Sequence, residues 1–363
     1  DVLLSFLPLS HVLERTAGQY APIAAGAQVA YAESPATLRE NLREVRPTVL
    51  VAVPRIFEKF HDALWAKVRA SPSWRQRLFT WAMRQRRGTW QHRLADRLVF
   101  RKARQALGGR LRFTISGGAA LSVPLQKFFD RLGVLILEGY GLTETAPVIT
   151  VNTEGNRRIG SVGKALPGVE VKIAPDKEIF TRGPNVCAGY WQDDAATREL
   201  IDASGWLHTG DLGFRDADGF LFIIGRRKEM LVTAGGKNVW PQVLENIING
   251  DALVAQSMVV GNNRPYLTAL VVPAWMELRE AEQAKDWPST PAEMARDPRV
   301  LVYFTERVRQ ALRERPEWEQ VRKIALLPEE FSAERDEVTP TQKLRRSVIE
   351  RHSAKEIEAL YRK

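Results

Sequence analysis

The sequence predicts an α/β protein: a large part built on mainly parallel, helix-covered sheets with a small β-rich subdomain, followed by a smaller α+β domain. In residues 1–147, short apolar runs alternate with helix-like segments, which is the pattern of βαβ units. Between residues 148 and 225 the pattern changes to short β-like pieces separated by Gly, Pro and Asp. The 363 residues are too many for one ordinary core, so we expect more than one domain.

The strands predicted in the first region are five apolar runs, at 2–7, 28–31, 49–53, 111–116 and 134–137. Helices are predicted between them at 35–45, across a long basic segment, and at 123–131, where Ser122 and Pro124 are typical of a helix start. Parallel strands joined by helices collect their ligands at the carboxyl ends of the strands. The segments 116–119 and 138–145 follow adjacent predicted strands, so we expect them to form one pocket.

The segment 138–145 carries the most informative chemistry in the chain. Two glycines flank Tyr140, so the backbone can approach a ligand closely while the ring offers a stacking face. Thr143 beside Glu144 offers a hydroxyl and a carboxylate, which are the oxygen ligands that a hard cation prefers. A purine, a phosphate and Mg²⁺ could all bind there, but an ordinary turn at the end of a strand would explain the glycines equally well.

A second polar segment lies in the β-rich region 148–225. The pieces 169–173 and 178–182, and a pair of strands around the turn at Gly219, predict a small barrel or sheet. Within 206–213, Asp211 lies between glycines and could accept two hydrogen bonds from a ribose diol. An aspartate in a glycine-rich turn is more often only a turn former.

A domain boundary is predicted after residue 225, which gives domains at 1–147, 148–225 and 226–363. In the last of these, 257–260 and 267–272 predict strands, and 277–299 is an insertion rich in acidic and basic residues. The segment 339–346 predicts a polar turn that leads into a helix running to the last residue. Lys343 lies in this turn, where an isolated lysine ordinarily faces solvent.

The net charge of +10 is concentrated in one segment. Residues 61–112 hold 14 Lys or Arg against Asp62 and Asp96, a balance of +12, so the rest of the chain sums to −2. No nucleic-acid partner is therefore expected. Apolar residues recur at helical spacing within the segment, which predicts amphipathic helices with a basic face, inserted at 61–110.

Two interpretations of these basic helices remain open. We favour a solvated helical hairpin, because a run of charge usually marks a solvated face. The alternative is a surface that contacts anionic lipid, peripherally at the inner face of the membrane, or a phosphate-rich ligand. The segment also holds Trp65, Trp74, Trp81 and Trp90, with Leu94 and Leu98 at helical spacing.

Composition excludes several classes of protein and site. No apolar stretch reaches about 18 residues and no charged-then-apolar leader opens the sequence, so we expect a cytoplasmic protein. The single cysteine, Cys187, excludes an internal disulfide and a cysteine-based metal site, and it fits a reducing compartment. The five histidines show no paired metal-ligand spacing.

The order of the motifs resembles that of the AMP-forming acyl-CoA synthetases of the adenylate-forming superfamily. The matching segments, in chain order, are 7–11, 116–121, 138–145, 206–213, 225–226 and Lys343. The helical insertion after 54–57, together with 264–270, is most similar to the long-chain fatty-acid branch. The resemblance covers nearly the whole chain and implies a large adenylate-forming domain followed by a mobile C-terminal domain.

The resemblance implies a ligase that works in two steps. A fatty acid and MgATP first give an acyl-adenylate and pyrophosphate, and the thiol of CoA then displaces AMP. The implied catalytic residues are Lys343, His11, Thr143 and Glu144, of which Thr143 and Glu144 also hold Mg²⁺. The implied nucleotide-binding residues are Gly117, Gly118, Ala119, Glu138, Gly139, Tyr140, Gly141, Thr143, Asp211, Ile223, Arg226 and Lys343.

The resemblance also implies a hinge at Lys228, about which the small domain rotates between the two half-reactions. The path of CoA would then run along Gly235, Gly236 and Lys237. Residue type varies among relatives at the position of Lys237, so a phosphate or CoA contact there stays open. His11 is placed beside the carboxylate of the acid, although a lone histidine is more often structural.

One motif of the family is missing from the sequence. The Ser/Thr/Gly-rich phosphate loop precedes the segment that matches 7–11, and the sequence starts after it. We therefore expect a fragment that lacks the first part of the large domain and is inactive alone. Two alternatives remain: a ligase that passes its acyl-adenylate to a carrier protein, and a non-catalytic binding protein that kept the nucleotide fold.

Overall fold

The computed structural model describes residues 1–34, 37–251, 253–279, 286–339 and 343–362. The chain divides into two compact units, Asp1–Ile223 and Ile224–Lys363. Among the described residues, no helix is both long enough and apolar enough to cross a lipid bilayer.

The first unit is built on a seven-stranded sheet with the order β2-β1-β3-β4-β5-β6-β7. Its strands are β1 (Val2–Ser5), β2 (Gln28–Tyr31), β3 (Val49–Ala52), β4 (Phe113–Ser116), β5 (Ile136–Gly141), β6 (Val148–Val151) and β7 (Lys164–Ala165). Strands β1 to β5 pair in parallel, and β6 and β7 extend the sheet in antiparallel pairing. The mainly parallel sheet predicted from the βαβ pattern is confirmed.

Strand β5 continues further than the sequence predicts. The apolar run ends at Leu137, but the strand reaches Gly141 because Gly139 pairs with Val151 and Tyr140 pairs with Thr150. Glycine weakens a strand, yet it also permits the close approach of a neighbouring backbone. The first part of the segment 138–145 is therefore a strand, and the turn begins only after it.

The helices of the first unit are α1 (Ala21–Ala24), α2 (Leu38–Val45), α3 (Pro54–Arg69), α4 (Ser73–Arg84), α5 (Trp90–Ala95), α6 (Arg101–Arg104), α7 (Val123–Leu132) and α8 (Asp194–Leu200). Of these, α2 to α7 place side chains in or against the core that includes Leu4 and Leu50 of the sheet. Wider π-helical turns occur at Glu14–Tyr20 and Asp96–Phe100, and tighter 3₁₀ turns at Gln105–Leu107 and Thr143–Thr145. Residues 35–36, where the first predicted helix, 35–45, was expected to begin, lie outside the described residues.

The basic helices are part of the main core. Phe57, Phe79 and Phe100 are buried in the same cluster as Leu4 and Leu50 of the sheet. The cluster thus fixes one face of the segment onto the sheet. Its other face is open to solvent, with the side chains of Trp74 and Trp90 61% and 69% exposed.

The β-rich region of the first unit forms an open four-stranded sheet with the order β11-β10-β9-β8. Its strands are β8 (Glu170–Ile173), β9 (Glu178–Arg182), β10 (Leu207–Arg215) and β11 (Leu221–Arg226). Strands β10 and β11 are joined by a tight turn in which the Asp216 carboxylate accepts the backbone N–H groups of Asp218 and Phe220. The predicted turn at Gly219 lies there.

The second unit holds a three-stranded sheet and a small hairpin. Its strands are β12 (Leu231–Val232), β13 (Asn238–Val239), β14 (Val254–Val260), β15 (Leu267–Pro273) and β16 (Val321–Leu326), with β12 and β13 forming the hairpin. Its helices are α9 (Pro241–Ile248), α10 (Trp275–Arg279), α11 (Pro291–Met294), α12 (Pro298–Leu312), α13 (Arg346–His352) and α14 (Ala354–Tyr361). The single terminal helix predicted from sequence is interrupted at Ser353.

The three-stranded sheet separates two apolar cores. Val259 belongs to the core that includes Leu244 and Phe304, whereas its neighbour Met258 belongs to the core that includes Ile349. Adjacent strand residues point to opposite faces, so both faces of β14 are covered by helices.

A nearly buried ion pair joins three elements of this unit. The Arg346 guanidinium on α13 bonds to the Glu245 carboxylate on α9 at 2.5 Å, and Glu245 also accepts the backbone N–H of Val259 at 2.7 Å. The guanidinium further donates to the carbonyl oxygen of Val259 at 3.3 Å. The start of α13 is therefore fixed to α9 and β14.

Candidate nucleotide site

The structure brings two predicted site residues of the first unit into direct contact. The phenol of Tyr140 on β5 donates a hydrogen bond to the Asp211 carboxylate on β10, at 2.7 Å. The two residues are 71 positions apart in the chain and belong to different sheets. An aromatic ring and a hydrogen-bond acceptor therefore lie side by side.

A local irregularity in the sheet holds Asp211 in this position. The pairing of β9 with β10 changes register between His208 and Leu212, and Gly210 adopts a positive φ of 66° within the irregularity. The N–H of Gly210 donates to the Glu178 carboxylate at 3.1 Å. Such bulges re-aim side chains and are common beside functional sites. The bulge explains why Asp211, 4% exposed, keeps its carboxylate within reach of Tyr140.

The turn after β5 presents Thr143 and Glu144. The Thr145 hydroxyl accepts the N–H of Leu142 at 2.9 Å and donates to the carbonyl of Pro147 at 2.6 Å, which closes the turn. At Gly141 an added Cβ would lie 1.6 Å from the Pro147 carbonyl oxygen, so only glycine allows the chain to turn here. Thr143 is left exposed and Glu144 half-buried.

Glu144 has a partner that sequence reasoning missed. The Tyr190 phenol donates to the Glu144 carboxylate at 2.8 Å, and the backbone carbonyl of Glu144 accepts the N–H of Cys187 at 2.8 Å. The hydrogen bond to Glu144 raises the pKa of Tyr190 to about 12. Tyr190 is itself held by the Thr197 hydroxyl, which accepts its backbone N–H at 2.9 Å. The carboxylate is thus oriented by a neutral donor.

The donor set at this turn fits a magnesium ion that is shared with a phosphate ligand. Among the residues that the structure describes, no three His, Cys, Asp or Glu side chains group together as a metal cage. Thr143 and Glu144 supply one hydroxyl and one carboxylate. Mg²⁺ is usually held by one or two carboxylates together with water and substrate phosphates, so a small oxygen set of this kind suits it.

Glu138 lies in a buried polar network below the loop that follows β4. Its carboxylate oxygens accept the N–H of Leu121 at 3.0 Å and the side-chain amide of Gln126 at 2.6 Å. The oxygen of the Gln126 amide in turn accepts the N–H of Gly160 at 2.9 Å. Burial raises the pKa of Glu138 from 4.5 to about 8. Both oxygens are occupied by protein donors, so the side chain supports the loop.

The loop carrying Gly117, Gly118 and Ala119 lies beside the segment that contains His11. The side chain of Leu13 packs against Gly117. Nδ1 of the His11 ring accepts the backbone N–H of Leu13 at 3.2 Å. The backbone N–H of His11 donates to the carbonyl of Pro8 at 2.9 Å. The hydrogen bond from Leu13 supports the chain where the helical turn begins, and the catalytic role of His11 stays a prediction.

Ile223 contributes to the apolar floor near Tyr140. Both residues pack against one buried cluster, formed by Val162, Ile179 and Leu221. Tyr140, Asp211 and Ile223 are thus brought to one region of the first unit, with the turn at Thr143–Thr145 directly after β5.

The remaining predicted residues belong to the second unit and lie on exposed segments. Arg226 ends β11, and Lys228 lies in the short turn Arg227–Glu229 that follows. Lys343 is exposed; its N–H donates to the Thr339 hydroxyl at 3.1 Å, and its carbonyl accepts the N–H of Thr339 at 2.9 Å. Residues 340–342 of this predicted motif lie outside the described residues.

The predicted CoA-path residues form the turn between β12 and β13. The carbonyl of Thr233 accepts the N–H of Gly236 at 2.8 Å, and the Thr233 hydroxyl accepts the N–H of Lys237 at 3.1 Å. Gly235 precedes them in the same exposed turn. The ammonium of Lys237 lies 5.1 Å from the ring centroid of Trp318, within the range of a cation–π contact.

For three supporting residues, the sequence alone does not reveal the partner. Tyr190, Gln126 and Glu178 act on residues 46, 12 and 32 positions away, respectively. Only the Gly-Tyr-Trp run at 189–191, with its exposed aromatics, draws attention as a candidate surface feature. Such partners become visible only when the sheets bring distant segments together.

Comparison with known families gives two matches that together cover most of the chain. A family model described as AMP-binding enzyme matches residues 1–191. A second model, described as AMP-binding enzyme C-terminal domain, matches residues 228–363.

Curated relatives match nearly the full length of the chain. The long-chain-fatty-acid–CoA ligase FadD15 of Mycobacterium tuberculosis is 38% identical over 377 residues, which cover 99% of this chain and 62% of that protein. The peroxisomal long chain acyl-CoA synthetase 7 of Arabidopsis thaliana is 31% identical over 391 residues, covering 99% of this chain and 55% of that protein. The chain therefore spans less than two thirds of the length of these relatives.

Solved structures share the fold. The A-PCP didomain of a carboxylic acid reductase from Segniliparus rugosus, in complex with AMP, superposes with a TM-score of 0.78 at 23% identity and covers 99% of this chain and 48% of that one. The adenylation domain of a carboxylate reductase from Mycobacterium chelonae gives a TM-score of 0.77 at 24% identity, with 99% and 54% covered. The predicted fold class is confirmed.

Proposed function

Because the chain belongs to the AMP-binding enzyme family, we propose that it serves the activation of a long-chain fatty acid. In this proposal ATP and the acid give an acyl-adenylate and pyrophosphate, and CoA then gives acyl-CoA and AMP. The single observation that carries the proposal is the contact between Tyr140 and Asp211, with the turn of Thr143 and Glu144 directly after β5.

The contact between Tyr140 and Asp211 provides the groups that would bind adenosine. The ring of Tyr140 offers a stacking face for adenine, and the Asp211 carboxylate accepts hydrogen bonds from ribose hydroxyls. A carboxylate is the strongest neutral-pH acceptor for such a diol. Gly117, Gly118 and Ala119 would contribute backbone groups to the base, and Arg226 would add a donor to the ribose. Glu138 keeps their loop in place through Leu121.

Phosphate chemistry needs positive charge, and the proposal assigns it to two sources. A carboxylate is a poor electrophile because its leaving group would be oxide, and adenylation supplies a better leaving group. Mg²⁺, which Thr143 and Glu144 would hold, neutralises phosphate charge when it is bound. Lys343 would bring a second positive charge to the α-phosphate as charge gathers there.

The second unit would serve both half-reactions. In the proposal, Lys228 is the hinge, Lys343 acts during adenylation, and Gly235 and Gly236 line the path of CoA. The support for this path is the exposed turn between β12 and β13, in which small residues leave room for a narrow pantetheine chain. Lys237 would lie at the edge of the same path.

The proposed substrates, a long-chain fatty acid and CoA as acyl acceptor, are inferred from the names of the relatives. Both curated relatives are named for long-chain acids and CoA, and we extend that substrate class to this chain. We place the protein in the cytoplasm, with a peripheral contact to the inner face of the membrane through the basic helices in 61–112. A carrier protein in place of CoA is the alternative acceptor.

The test uses ligand binding and a single turnover. Calorimetry should show that the chain binds AMP, and that it binds a non-hydrolysable hexadecanoyl-sulfamoyl adenosine more tightly than the acetyl analogue. Absence of binding to every adenosine ligand would overturn the proposal. Supplied acyl-adenylate should yield thioester with CoA; thioester formation only with a phosphopantetheinyl carrier protein would reassign the acceptor.

A further inference from the structure

A stripe of exposed apolar side chains runs along the outside of α5 and the turn that follows it. Trp90, Leu94 and Leu98 are 69%, 41% and 51% exposed. They are spaced by four residues on a nearly continuous helical stretch, so their side chains lie on one face. Three large apolar side chains in one row on a surface call for an explanation, since isolated ones are ordinary but contiguous ones mark contact sites.

A stripe of arginines lies directly beside the apolar one. Arg93, Arg97 and Arg101 have the same spacing of four, and all three are exposed. Asp96, the only acid within this stretch, is already bound by the Arg104 guanidinium at 2.5 Å. The basic stripe is therefore not neutralised by its own helix.

The opposite face of the same stretch is fixed to the protein. Ala95 and Phe100 are fully buried in the main core. Arg104, besides binding Asp96, donates to the carbonyl of Leu132 at the end of α7, at 2.7 Å. The two stripes are thus presented on a rigid element.

The neighbouring helix adds a second site of the same kind. Trp74 at the start of α4 is 61% exposed, and the guanidinium of Arg75 lies 5.1 Å from its ring centroid. Helix α4 packs beside the turn Asp96–Phe100. Residues 61–112 together carry a balance of +12 while the rest of the chain is slightly acidic. The surface therefore combines Trp, Leu and Arg in a strongly positive field.

We propose that this surface, formed by Trp90, Leu94, Leu98 and the arginines beside them, docks on an anionic phospholipid bilayer; this inference rests on the membrane contact included in the proposed function and names its residues. Helices that lie in the membrane interface bury an apolar face among the acyl chains while Arg and Lys meet the headgroups. Charge complementarity selects the anionic leaflet. Nucleic acid would satisfy the arginines but gives no role to Leu94 and Leu98. The docking surface is separate from the candidate nucleotide site, so its test does not depend on catalysis.

The experiment measures sedimentation of the protein with vesicles. The probes are vesicles of pure phosphatidylcholine and vesicles with about 30% phosphatidylglycerol, at low and high salt. The wild-type protein should sediment with the anionic vesicles at low salt, and the bound fraction should fall at high salt. Two variants, Trp90→Ser/Leu94→Ser/Leu98→Ser and Arg93→Glu/Arg97→Glu, should each bind roughly tenfold or more weakly.

A matched control tests whether loss of any exposed apolar side chains would weaken vesicle binding. The variant Leu301→Ser/Val302→Ser/Trp318→Ser removes one tryptophan and two aliphatic side chains that are also exposed, in the second unit, and it should bind vesicles like the wild type. Circular dichroism and AMP binding should be unchanged in every variant. Equal vesicle binding by the wild type and the triple-serine variant of the stripe would overturn the proposal. So would binding to a DNA duplex that depends on the arginines and not on the apolar residues.

Discussion

The candidate site residues of the two units are held in different ways. In the first unit, Tyr140 and Asp211 bond to each other, and Glu144 bonds to Tyr190, through side chains that β-strands and tight turns position. In the second unit, Lys343 and Lys237 lie on exposed turns that are closed by backbone bonds to threonines. The first group has its geometry before a ligand arrives. The second group can change its position at low cost, which suits residues needed in only one step.

The largest expected effect comes from Lys343. In the longer protein that includes the phosphate loop, Lys343→Ala should lower acyl-adenylate formation by roughly 100-fold or more, because a charge aimed at the α-phosphate is lost. Thioester formation from supplied acyl-adenylate should be unchanged, and so should AMP binding. Rapid-quench single-turnover measurements separate the two steps, with Lys355→Ala, also exposed, as the control. Equal loss in both half-reactions would contradict the division of roles between the units.

Asp211 should matter for binding where Lys343 matters for rate. Asp211→Asn keeps the shape but weakens the acceptor for ribose hydroxyls, so the dissociation constant of AMP should rise roughly tenfold or more. Isothermal calorimetry with AMP checks this. Asp218→Asn in the turn between β10 and β11 should bind AMP like the wild type, since its ion pair with Arg158 is exposed. If both variants bind AMP normally, Asp211 is only a turn former.

Glu138 should make the stability of the first unit depend on pH. Its pKa is raised from 4.5 to about 8, so the folded state holds a proton that the unfolded chain releases. This contribution to stability is complete below pH 4.5 and is lost as pH rises through 8. The melting temperature of the wild type should therefore fall more between pH 6 and about 9 than that of Glu138→Gln, which has no such proton to lose. Parallel curves for the two proteins would show that Glu138 stays ionised.

Tyr190 should give the smallest effect. Tyr190→Phe removes one hydrogen bond to Glu144, so binding of Mn²⁺ in the presence of ATP should weaken about two- to tenfold. Electron paramagnetic resonance reports the free Mn²⁺ directly and does not depend on turnover. Tyr20→Phe, on an exposed side chain, is the matched control. A drop in AMP affinity without any change in Mn²⁺ binding would assign Tyr190 to the nucleotide instead.

Sequence reasoning succeeded where a pattern is local. The strand at 28–31 and the βαβ order follow from periodicity, and both are confirmed. It ended β5 too early because Gly139 and Gly141 look like strand breakers, whereas pairing with β6 keeps them in the sheet. It also treated four tryptophans alike. Helical spacing alone cannot tell that two of them, Trp65 and Trp81, pack against the core while the other two face solvent.

In the candidate site, too, the sequence predicted what is local and missed contacts between distant residues. Tyr140 and Asp211 were both singled out by their own chemistry, but their contact spans 71 residues and two sheets. The hydrogen bond from Tyr190 to Glu144 has no counterpart in any spacing, so it had to be seen in three dimensions. The roles given to Lys343, Lys228 and the hairpin glycines stay predictions, because they describe steps of a reaction.

The ion pair of Arg346 with Glu245 fixes the chain just after the turn that contains Lys343. Arg346 follows Lys343 by three residues and is held to α9 and β14, whereas Lys343 itself is exposed. Amide hydrogen exchange should therefore change abruptly along this short stretch, fast at Lys343 and slow at Val348 and Ile349, which are buried. Three residues of chain span at most about 10 Å, so whatever ligand meets Lys343 must come near the start of the helix that anchors it.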